Sequence, residues 1–355
     1  MNRFYKNILH FLLVGLLVVF VGACSKDNGP TEPTENNDYS LIVSDFANKV
    51  VVAIYADLST QAETLNSAVT LYRDSPSQEN LNATCEAWKA TRAPWESGEA
   101  FLFGPAAYLS LDPSMDSWPL DKAQLDEVLK SDFELTPEFI RDGLGASLRG
   151  FHTIEFLLFK DGQPRITADV TDREKEYLVA ATQVLFDDAS TLYGEWSSGF
   201  ANEFANAGKS GSRYGSQVQA VQEIIEGIIG IADEVGNGKI YEPYSTKNVL
   251  SVESWYSWNS LNDFQNNIKS IQNAYEGNYQ NGTSGTGLGG FVKEKDAALD
   301  AKVKQQITAA YTAIGEIPHP FRNNLNADIQ IKAAIEACNT LASTFQTDVK
   351  ALFTN

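Results

Sequence analysis

A histidine and a glutamate, His152 and Glu155, lie three positions apart in an otherwise largely apolar stretch of the chain. In a helix successive residues turn by about 100°, so these two side chains would share one face. Most of their neighbours up to Phe159 are apolar, which is typical of a buried helix. Because an unpaired buried carboxylate is costly, Glu155 needs a proton, a charged or hydrogen-bonding partner, or a metal ion.

The histidine inventory limits the kind of metal site. The chain has three histidines, and His10 lies in an N-terminal segment that we expect to be removed, which leaves His152 and His319. A zinc-protease site of the HExxH kind needs two histidines on one helix turn, so this chain cannot build one. A metal at His152 would need mostly carboxylate ligands, which favours harder cations or iron. Bundle-core iron sites use a Glu-x-x-His pair, whereas the order here is reversed, so only the ligand chemistry is comparable.

Three blocks of this sequence resemble the imelysin-like family. One is the signature Gly150-x-His152-x-x-Glu155, and the others occupy residues 88–105 and 231–240. The block at residues 88–105 contains Trp88, Arg92, Pro94, Trp95, Glu99, Ala100, Phe101, Phe103, Gly104 and Pro105. The resemblance covers nearly the whole chain from about Tyr39 and implies an all-α fold of two helical bundles. It also implies that the acidic residue at Glu99 joins His152 and Glu155.

The predicted metal site therefore has one nitrogen and two carboxylate ligands, from His152, Glu155 and Glu99. Further candidates share the predicted helix that carries Glu99, and they are Glu96, Arg92 and Trp88. Two alternatives remain open. Arg92 or Arg149 could pair with Glu155 while His152 hydrogen-bonds Glu99, which would give a polar core network without metal. The same residues could also bind an organic or peptide ligand.

A second group of acidic residues lies in the other half of the chain. Glu226, Gly230 and Asp233 share one helix face at i, i+4 and i+7. Taken alone, this pattern favours a solvated acidic stripe opposite a buried isoleucine face. The family resemblance around Asp233 makes Glu226 and Asp233 additional site candidates in a crevice between two bundles.

The N-terminus has the layout of an export signal. Arg3 and Lys6 precede an uncharged apolar run, and small residues precede Cys24. The end of this segment resembles a bacterial lipobox, which predicts a signal peptide at residues 1–23 and lipidation of Cys24. The polar residues 24–38 would then form a flexible tether. We expect a protein of the cell envelope that is anchored by lipid to the outer membrane, on its periplasmic or surface face.

The charge and cysteine content restrict the partners. The chain carries a net charge of −19, and removal of the basic signal would make the remainder more acidic. Such a surface disfavours nucleic acid and favours cations. The two cysteines outside the signal, Cys85 and Cys338, have no CxxC spacing and are expected to be free, buried thiols.

Apolar residues recur at three- and four-residue spacing along most of the chain, which predicts an all-α protein. The approximate predicted helices are Ser40–Tyr72, Gln78–Phe101, Asp121–Leu129, a segment from Thr136, the His152 helix to Lys160, Asp172–Trp196, Ser216–Val235, Val252–Tyr275, Phe291–Ile314 and Asn324–Phe353. Gly236-Asn237-Gly238 is interpreted as a helix C-cap. We predict two tandem helical bundles of the four-helix type, at residues 39–163 and 164–355, with the site near their interface.

The resemblance and the chemistry together predict a non-enzymatic, lipid-anchored envelope protein. It would bind a divalent metal ion, most plausibly iron, for iron acquisition or homeostasis, with envelope iron-uptake proteins as partners. One alternative is a metallopeptidase, the activity after which the family was named, although a general base separate from the ligands is not evident. Another is a metal-free lipoprotein that binds a peptide or a glycan.

Overall fold

The computed structural model describes residues 37–279 and 285–354, and these residues form an all-α fold, as predicted. The α-helices are α1 (Ser40–Asp45), α2 (Val52–Asp74), α3 (Gln78–Glu96), α4 (Pro105–Tyr108), α5 (Leu111–Asp116), α6 (Lys122–Lys130), α7 (Gly150–Leu158), α8 (Asp172–Glu195), α9 (Ala201–Ala205), α10 (Gln217–Asp233), α11 (Glu242–Thr246), α12 (Ser260–Glu276), α13 (Leu288–Lys295), α14 (Ala297–Gly315), α15 (Asp328–Thr344) and α16 (Lys350–Leu352).

Shorter helical turns and one ladder join these helices. The π-helical segments are Phe46–Val51, Phe139–Gly143, Trp196–Phe200, Glu234–Tyr241 and Phe345–Val349. The 3₁₀ turns are Glu99–Phe101, Ala146–Leu148, Thr167–Asp169, Val249–Ser251 and Phe321–Asn323. The strands β1 (Phe159–Lys160) and β2 (Gln163–Pro164) pair antiparallel, with Phe159 opposite Pro164.

The first helices are organised around α2. Its apolar face, which includes Ile54, Leu58 and Leu65, is fully buried, and both α3 and α8 pack along it. Ser77 caps α3 by accepting a hydrogen bond from the backbone N–H of Asn80 at 3.1 Å. Because α8 follows residue 163 in the sequence, helices from both halves of the chain pack together here. The division into bundles at residues 39–163 and 164–355 stays a prediction.

The later helices α10, α12, α14 and α15 pack against one another, and two of their contacts with the earlier part of the chain position the site. Helix α12 contacts α3, and α10 contacts the 3₁₀ turn Glu99–Phe101. A Cβ atom on Gly227 would lie 2.0 Å from the carbonyl oxygen of Ala100. The glycine therefore permits the close approach of α10 to the turn that carries Glu99.

Two predicted features of the second half are wrong. The predicted helix Val252–Tyr275 begins only at Ser260, because Ser254 and Trp258 adopt left-handed φ values of 49° and 62° in the preceding turns. The glycines near residue 237 do not end a helix, since the chain continues as the π-helical segment Glu234–Tyr241. A Cβ on Gly236 would lie 3.1 Å from Cβ of Cys338, so this glycine serves close packing against α15.

Candidate functional site

Helix α7 places His152 and Glu155 in the interior, where both are 1% exposed. Oε1 of Glu155 accepts hydrogen bonds from the backbone N–H and the hydroxyl of Ser257, both at 2.7 Å. Its Oε2 lies 3.2 Å from Nδ1 of His152. Both carboxylate oxygens of Glu155 are therefore engaged, and the residue holds the imidazole ring with Nε2 facing away from it.

Gly150 explains how α7 reaches its neighbour α5. This residue has a φ of 73°, and a Cβ there would lie 2.1 Å from the carbonyl oxygen of Met115. Only glycine satisfies both conditions without a shift of the backbone. The contact brings Asp116, the last residue of α5, to the site, with its Oδ1 at 3.1 Å from Nε2 of His152.

Arg92 of α3 lies at the centre of a group of carboxylates and is fully buried. Its guanidinium pairs with Glu96 one turn later and with Asp116. From the second half of the chain it meets Glu253 at 2.6 Å and Asp263 at 3.5 Å. The hypothesis that Arg92 pairs with Glu155 is thus replaced by a wider network, while Arg149 donates to the carbonyl oxygen of Arg141.

Lys239 supplies a second buried cation. Its Nζ lies 2.9 Å from Oε2 of Glu99, 3.2 Å from Oε2 of Glu253 and 3.6 Å from Oε2 of Glu96. Asn267 of α12 donates through Nδ2 to Oε2 of Glu96 at 2.5 Å and to Oε2 of Glu99 at 3.1 Å. The amide thereby holds the two carboxyl groups side by side.

Negative groups outnumber positive ones in this buried cluster. Its carboxylates are Glu96, Glu99, Asp116, Glu155, Glu253 and Asp263, and its permanent cations are Arg92 and Lys239. Even a protonated His152 would leave an excess of negative charge. Low-dielectric surroundings make such an excess costly, so the cluster needs protons or an additional cation.

The pKa values respond to this imbalance. Burial raises the pKa of Glu96 to about 8 and that of Asp263 to about 6, against the lowering effect of Arg92. Burial, together with the neighbouring Glu96 charge, also raises the pKa of Glu99 well above its usual range. For His152, burial lowers the pKa, but the carboxylates of Asp116 and Glu155 beside its two ring nitrogens outweigh burial and raise the value to about 9. The cluster as it stands therefore favours bound protons.

Several polar atoms of the cluster are buried without a hydrogen bond of good geometry. Among the described residues they include Nε2 of His152, Oε1 of Glu96, Oε2 of Glu253 and Oδ2 of Asp263. Ligand atoms of Asp116, His152 and Glu253 lie within 4.8 Å of one another, and so do those of Glu96, Glu99 and Asp116. One imidazole nitrogen with several carboxylates is a donor set that suits iron or another hard divalent cation. These residues fit a metal ion.

A cleft of about 500 Å³ leads to this cluster. Its acidic lining consists of Glu99, Asp112, Asp116, Glu234, Glu242 and Glu253, and Lys239 and Trp118 also contribute. Carboxylates along a cleft attract cations and repel anions. The acidic cleft would therefore attract the kind of cation that could offset the excess negative charge of the buried cluster.

The other sequence candidates lie elsewhere. Glu226 is exposed and pairs with Lys350, and Asp233 is exposed and accepts from Nδ2 of Asn237 at 2.8 Å. The structure does not bring these two acids to the cluster. Trp88 is fully buried, and its Nε1 donates to the carbonyl oxygen of Phe151 at 3.1 Å.

The three cysteines and His319 also bear on the predictions. Cys85 and Cys338 are free and buried, as predicted. Cys24 and the predicted signal and tether up to residue 36 lie outside the described residues. His319 is exposed, and its Nε2 donates to the carbonyl oxygen of Trp258 at 3.1 Å.

Comparison with known proteins identifies the relationship. A family model described as Imelysin (Peptidase_M75) matches residues 51–347. The chain belongs to the imelysin family. This imelysin-family protein is 27% identical over 352 residues to "Iron-regulated protein A" of Synechococcus elongatus, a match that covers 98% of this chain and 94% of the relative.

Solved structures agree with the family assignment. The imelysin-family chain is 36% identical to a crystal structure described as an iron-regulated protein A precursor from Parabacteroides distasonis. The TM-score is 0.82, and the match covers 89% of this chain and 95% of that one. An imelysin-like protein from Psychrobacter arcticum is 12% identical with a TM-score of 0.69, covers 86% of this chain and 92% of that one, and shares the fold. In the imelysin-family protein, no helix of the described ranges is both long and apolar enough to span a membrane.

Sequence reasoning missed several members of the imelysin-family cluster. They are Asp116, Lys239, Glu253, Ser257, Asp263 and Asn267. Lys239 lies inside the family block at residues 231–240, so the sequence offered a reason to consider it as a site residue. The sequence predicts a helix that includes Glu253 and Ser257, but this helix begins only at Ser260. The inward orientation of the two side chains was therefore not predicted.

Proposed function

We propose that this imelysin-family protein binds a divalent metal ion, most plausibly iron, at the buried cluster, and serves iron acquisition or homeostasis in the cell envelope. The ligands in this proposal are Nε2 of His152 and carboxylate oxygens of Asp116 and Glu253, with Glu96 and Glu99 adjacent. Glu155, predicted as a ligand from the sequence, acts instead by holding Nδ1 of His152. The name of the Synechococcus elongatus relative, "Iron-regulated protein A", supports the choice of iron.

One observation carries the proposal. Nε2 of His152 points into a group of buried carboxylates that retains excess negative charge, while the opposite nitrogen is held by Glu155. Metal-ligating histidines commonly have such a carboxylate on the second ring nitrogen, which fixes the tautomer and the ring orientation. A bound divalent ion would supply the positive charge that the cluster lacks.

Each neighbouring residue has a defined part in this arrangement. Ser257 donates twice to Glu155 and so holds the carboxylate that orients His152. Trp95 donates from Nε1 to Oδ2 of Asp116 at 2.6 Å, which leaves Oδ1 on the side of His152. Arg92 contacts Oδ1 of Asp116 and Oε1 of Glu253 and offsets part of the carboxylate charge, so the site tolerates burial before a metal binds.

A titration of metal-free protein with ferrous iron under anaerobic conditions tests the proposal. After treatment with a chelator, the wild type should bind about one equivalent, measured by equilibrium dialysis and elemental analysis. Glu155→Gln should weaken the affinity by about 10- to 100-fold through loss of the correct ring orientation. His152→Gln should weaken it further, because a ligand atom is lost.

The matched control is Glu226→Gln, which removes an exposed acid and should bind iron like the wild type. A wild type that binds no ferrous iron, together with site variants that lose only stability, contradicts the proposal. That result would instead support a polar network in which Arg92 and Lys239 are the sole counter-ions.

The proposal places the protein at the envelope through a lipid on Cys24. This part depends on the sequence pattern at residues 1–24. In cells that are fed a labelled fatty acid, the wild type should carry the label and fractionate with the outer membrane. Cys24→Ser should lose the label, and retention of label in that variant would disprove anchoring at this position.

A further inference from the structure

Lys239 is an unusual member of the cluster because a long, flexible cation reaches a buried position. It lies near the end of the π-helical segment Glu234–Tyr241 and is 5% exposed. π-helical turns are rare and frequently occur at functional sites. The segment is held against α15, where Gly236 packs on Cys338. The lysine therefore extends from a well-anchored part of the backbone.

The ammonium group lies among oxygens that could themselves hold a metal ion. Glu96, Glu99 and Asp116 have ligand atoms within 4.8 Å of one another, and Asp116 is shared with the group around His152. Nζ of Lys239 contacts Oε2 of Glu99 at 2.9 Å and Oε2 of Glu96 at 3.6 Å. Asn267 keeps these two oxygens adjacent through hydrogen bonds to both.

Buried polar atoms near this second group indicate a position built for a cation. Oε2 of Glu253 and Oδ1 of Asn267 are buried without a hydrogen-bond partner of good geometry among the described residues, and Oε2 of Glu253 faces Nζ of Lys239 at 3.2 Å. The ammonium is the cation that the structure shows there. A metal ion needs the same oxygens at about 2.0–2.6 Å, so it cannot share them with an ammonium that carries a like charge.

We propose that Lys239 is a tethered counter-ion that closes a second cation position, so that the protein binds one metal ion where its carboxylates could hold two. The inference rests on the proposed metal site at His152, and it specifies in addition how many ions the protein binds. The guanidinium of Arg92 does not fill this role, because it contacts other oxygens, namely Oε1 of Glu96, Oε1 of Glu253, Oδ1 of Asp116 and Oδ2 of Asp263, whereas Lys239 faces the Oε2 atoms of Glu96, Glu99 and Glu253. Lys239 thus determines the metal stoichiometry.

The test compares the amount of ferrous iron bound by three proteins under anaerobic conditions. The wild type should bind about one ion per chain, whereas Lys239→Met should bind about two, since the vacated carboxylates favour a hard divalent cation. Lys239→Arg keeps a cation at the position and should remain at about one. Equilibrium dialysis with elemental analysis gives the stoichiometry, and circular dichroism checks the fold.

Two further variants keep the test decisive if Lys239→Met misfolds. Lys239→Gln retains hydrogen-bond donors without the charge and should also bind about two ions. Lys239→Met combined with Glu99→Gln removes one ligand of the second position and should return to about one. If Lys239→Met does not fold without metal, Lys239→Gln decides the outcome.

The results separate this inference from the proposed function. Folded Met and Gln variants that bind no more iron than the wild type overturn the role of Lys239, and so does a gain of an ion in Lys239→Arg. A wild type without iron and a Met variant with about one ion would overturn the His152 site yet support the counter-ion role. Absence of iron from every variant overturns both.

Discussion

Two acidic regions of this protein look alike in sequence and differ in structure. On α10, Glu226 and Asp233 are exposed, and Glu226 pairs with one lysine at the surface. Glu96 at the end of α3 and Glu99 in the next turn are three positions apart, a spacing that also suits one helix face, but they lie in the interior beside Arg92 and Lys239. The spacing of acids along a helix therefore does not decide their role.

The surroundings make the difference. An exposed ion pair is stabilised only by about 0–1 kcal/mol, because water screens the charges. Removal of one partner from a buried pair costs about 3–5 kcal/mol, because the remaining charge stays without compensation. The comparison between these two regions can be tested by substitutions in each.

The largest effect should come from Arg92→Gln. The substitution removes the central guanidinium from four carboxylates, and we expect a loss of about 3–5 kcal/mol in the free energy of unfolding. Chemical denaturation of the metal-free protein measures it. Arg141→Gln is the control, since Arg141 forms a half-exposed pair with Asp187 and should cost at most about 1 kcal/mol. Equal losses of unfolding free energy in both variants would contradict the larger effect expected for a buried charge.

The next effect is a dependence of stability on pH. The folded-state pKa is raised from 4.5 to about 8 for Glu96 and from 6.5 to about 9 for His152. A raised pKa contributes stability that is fully present below the unfolded value and is lost as pH rises through the folded value. Between pH 6 and pH 9 the metal-free protein should therefore become progressively less stable as both groups lose their protons.

Thermal or chemical unfolding at a series of pH values measures this slope. Glu96→Gln removes one of the two groups and should flatten the curve below about pH 8. Asp116 has a lowered pKa, mainly because Arg92 and His152 outweigh its burial, so its contribution is lost only in acid. Stability that rises between pH 6 and pH 9 would contradict the charge balance described for the cluster.

A smaller effect is expected from Ser257→Ala. The hydroxyl is one of two donors from this residue to the buried carboxylate of Glu155, and hydrogen bonds to charged groups contribute about 1.5–3 kcal/mol. Ser59→Ala is a matched control, because its hydroxyl contacts only the neutral hydroxyl of Ser190 at 3.1 Å. The difference in unfolding free energy between the two variants reports the charge of Glu155.

The smallest effect should follow substitution of the exposed stripe. Glu226→Gln and Asp233→Asn should each change the free energy of unfolding by less than about 0.5 kcal/mol, as is usual for surface substitutions. Neither should alter iron binding. A marked loss of iron binding in either variant would show that these exposed acids contribute to the functional site.

The amino-acid sequence determined the secondary structure class and the presence of a buried acid. Apolar spacing of three and four residues predicted the long helices, because a helix must bury one face to be stable in a protein. The apolar neighbours of Glu155 predicted that its carboxylate is buried and needs partners. The family blocks also directed attention to Arg92 and Glu99, both of which lie in the cluster.

The partners of these residues were decided by the tertiary structure. Ser257 and Glu155 are 102 positions apart, and Arg92 and Glu253 are 161 positions apart. No local pattern marks such pairs, since contacts between distant segments depend on how whole helices pack. The left-handed residues before α12 and the π-helical segment around Lys239 turn polar side chains inward at places where periodicity predicts other structures. Local spacing could place an acid in the interior, whereas its neighbours depended on the packing of segments far apart in the chain.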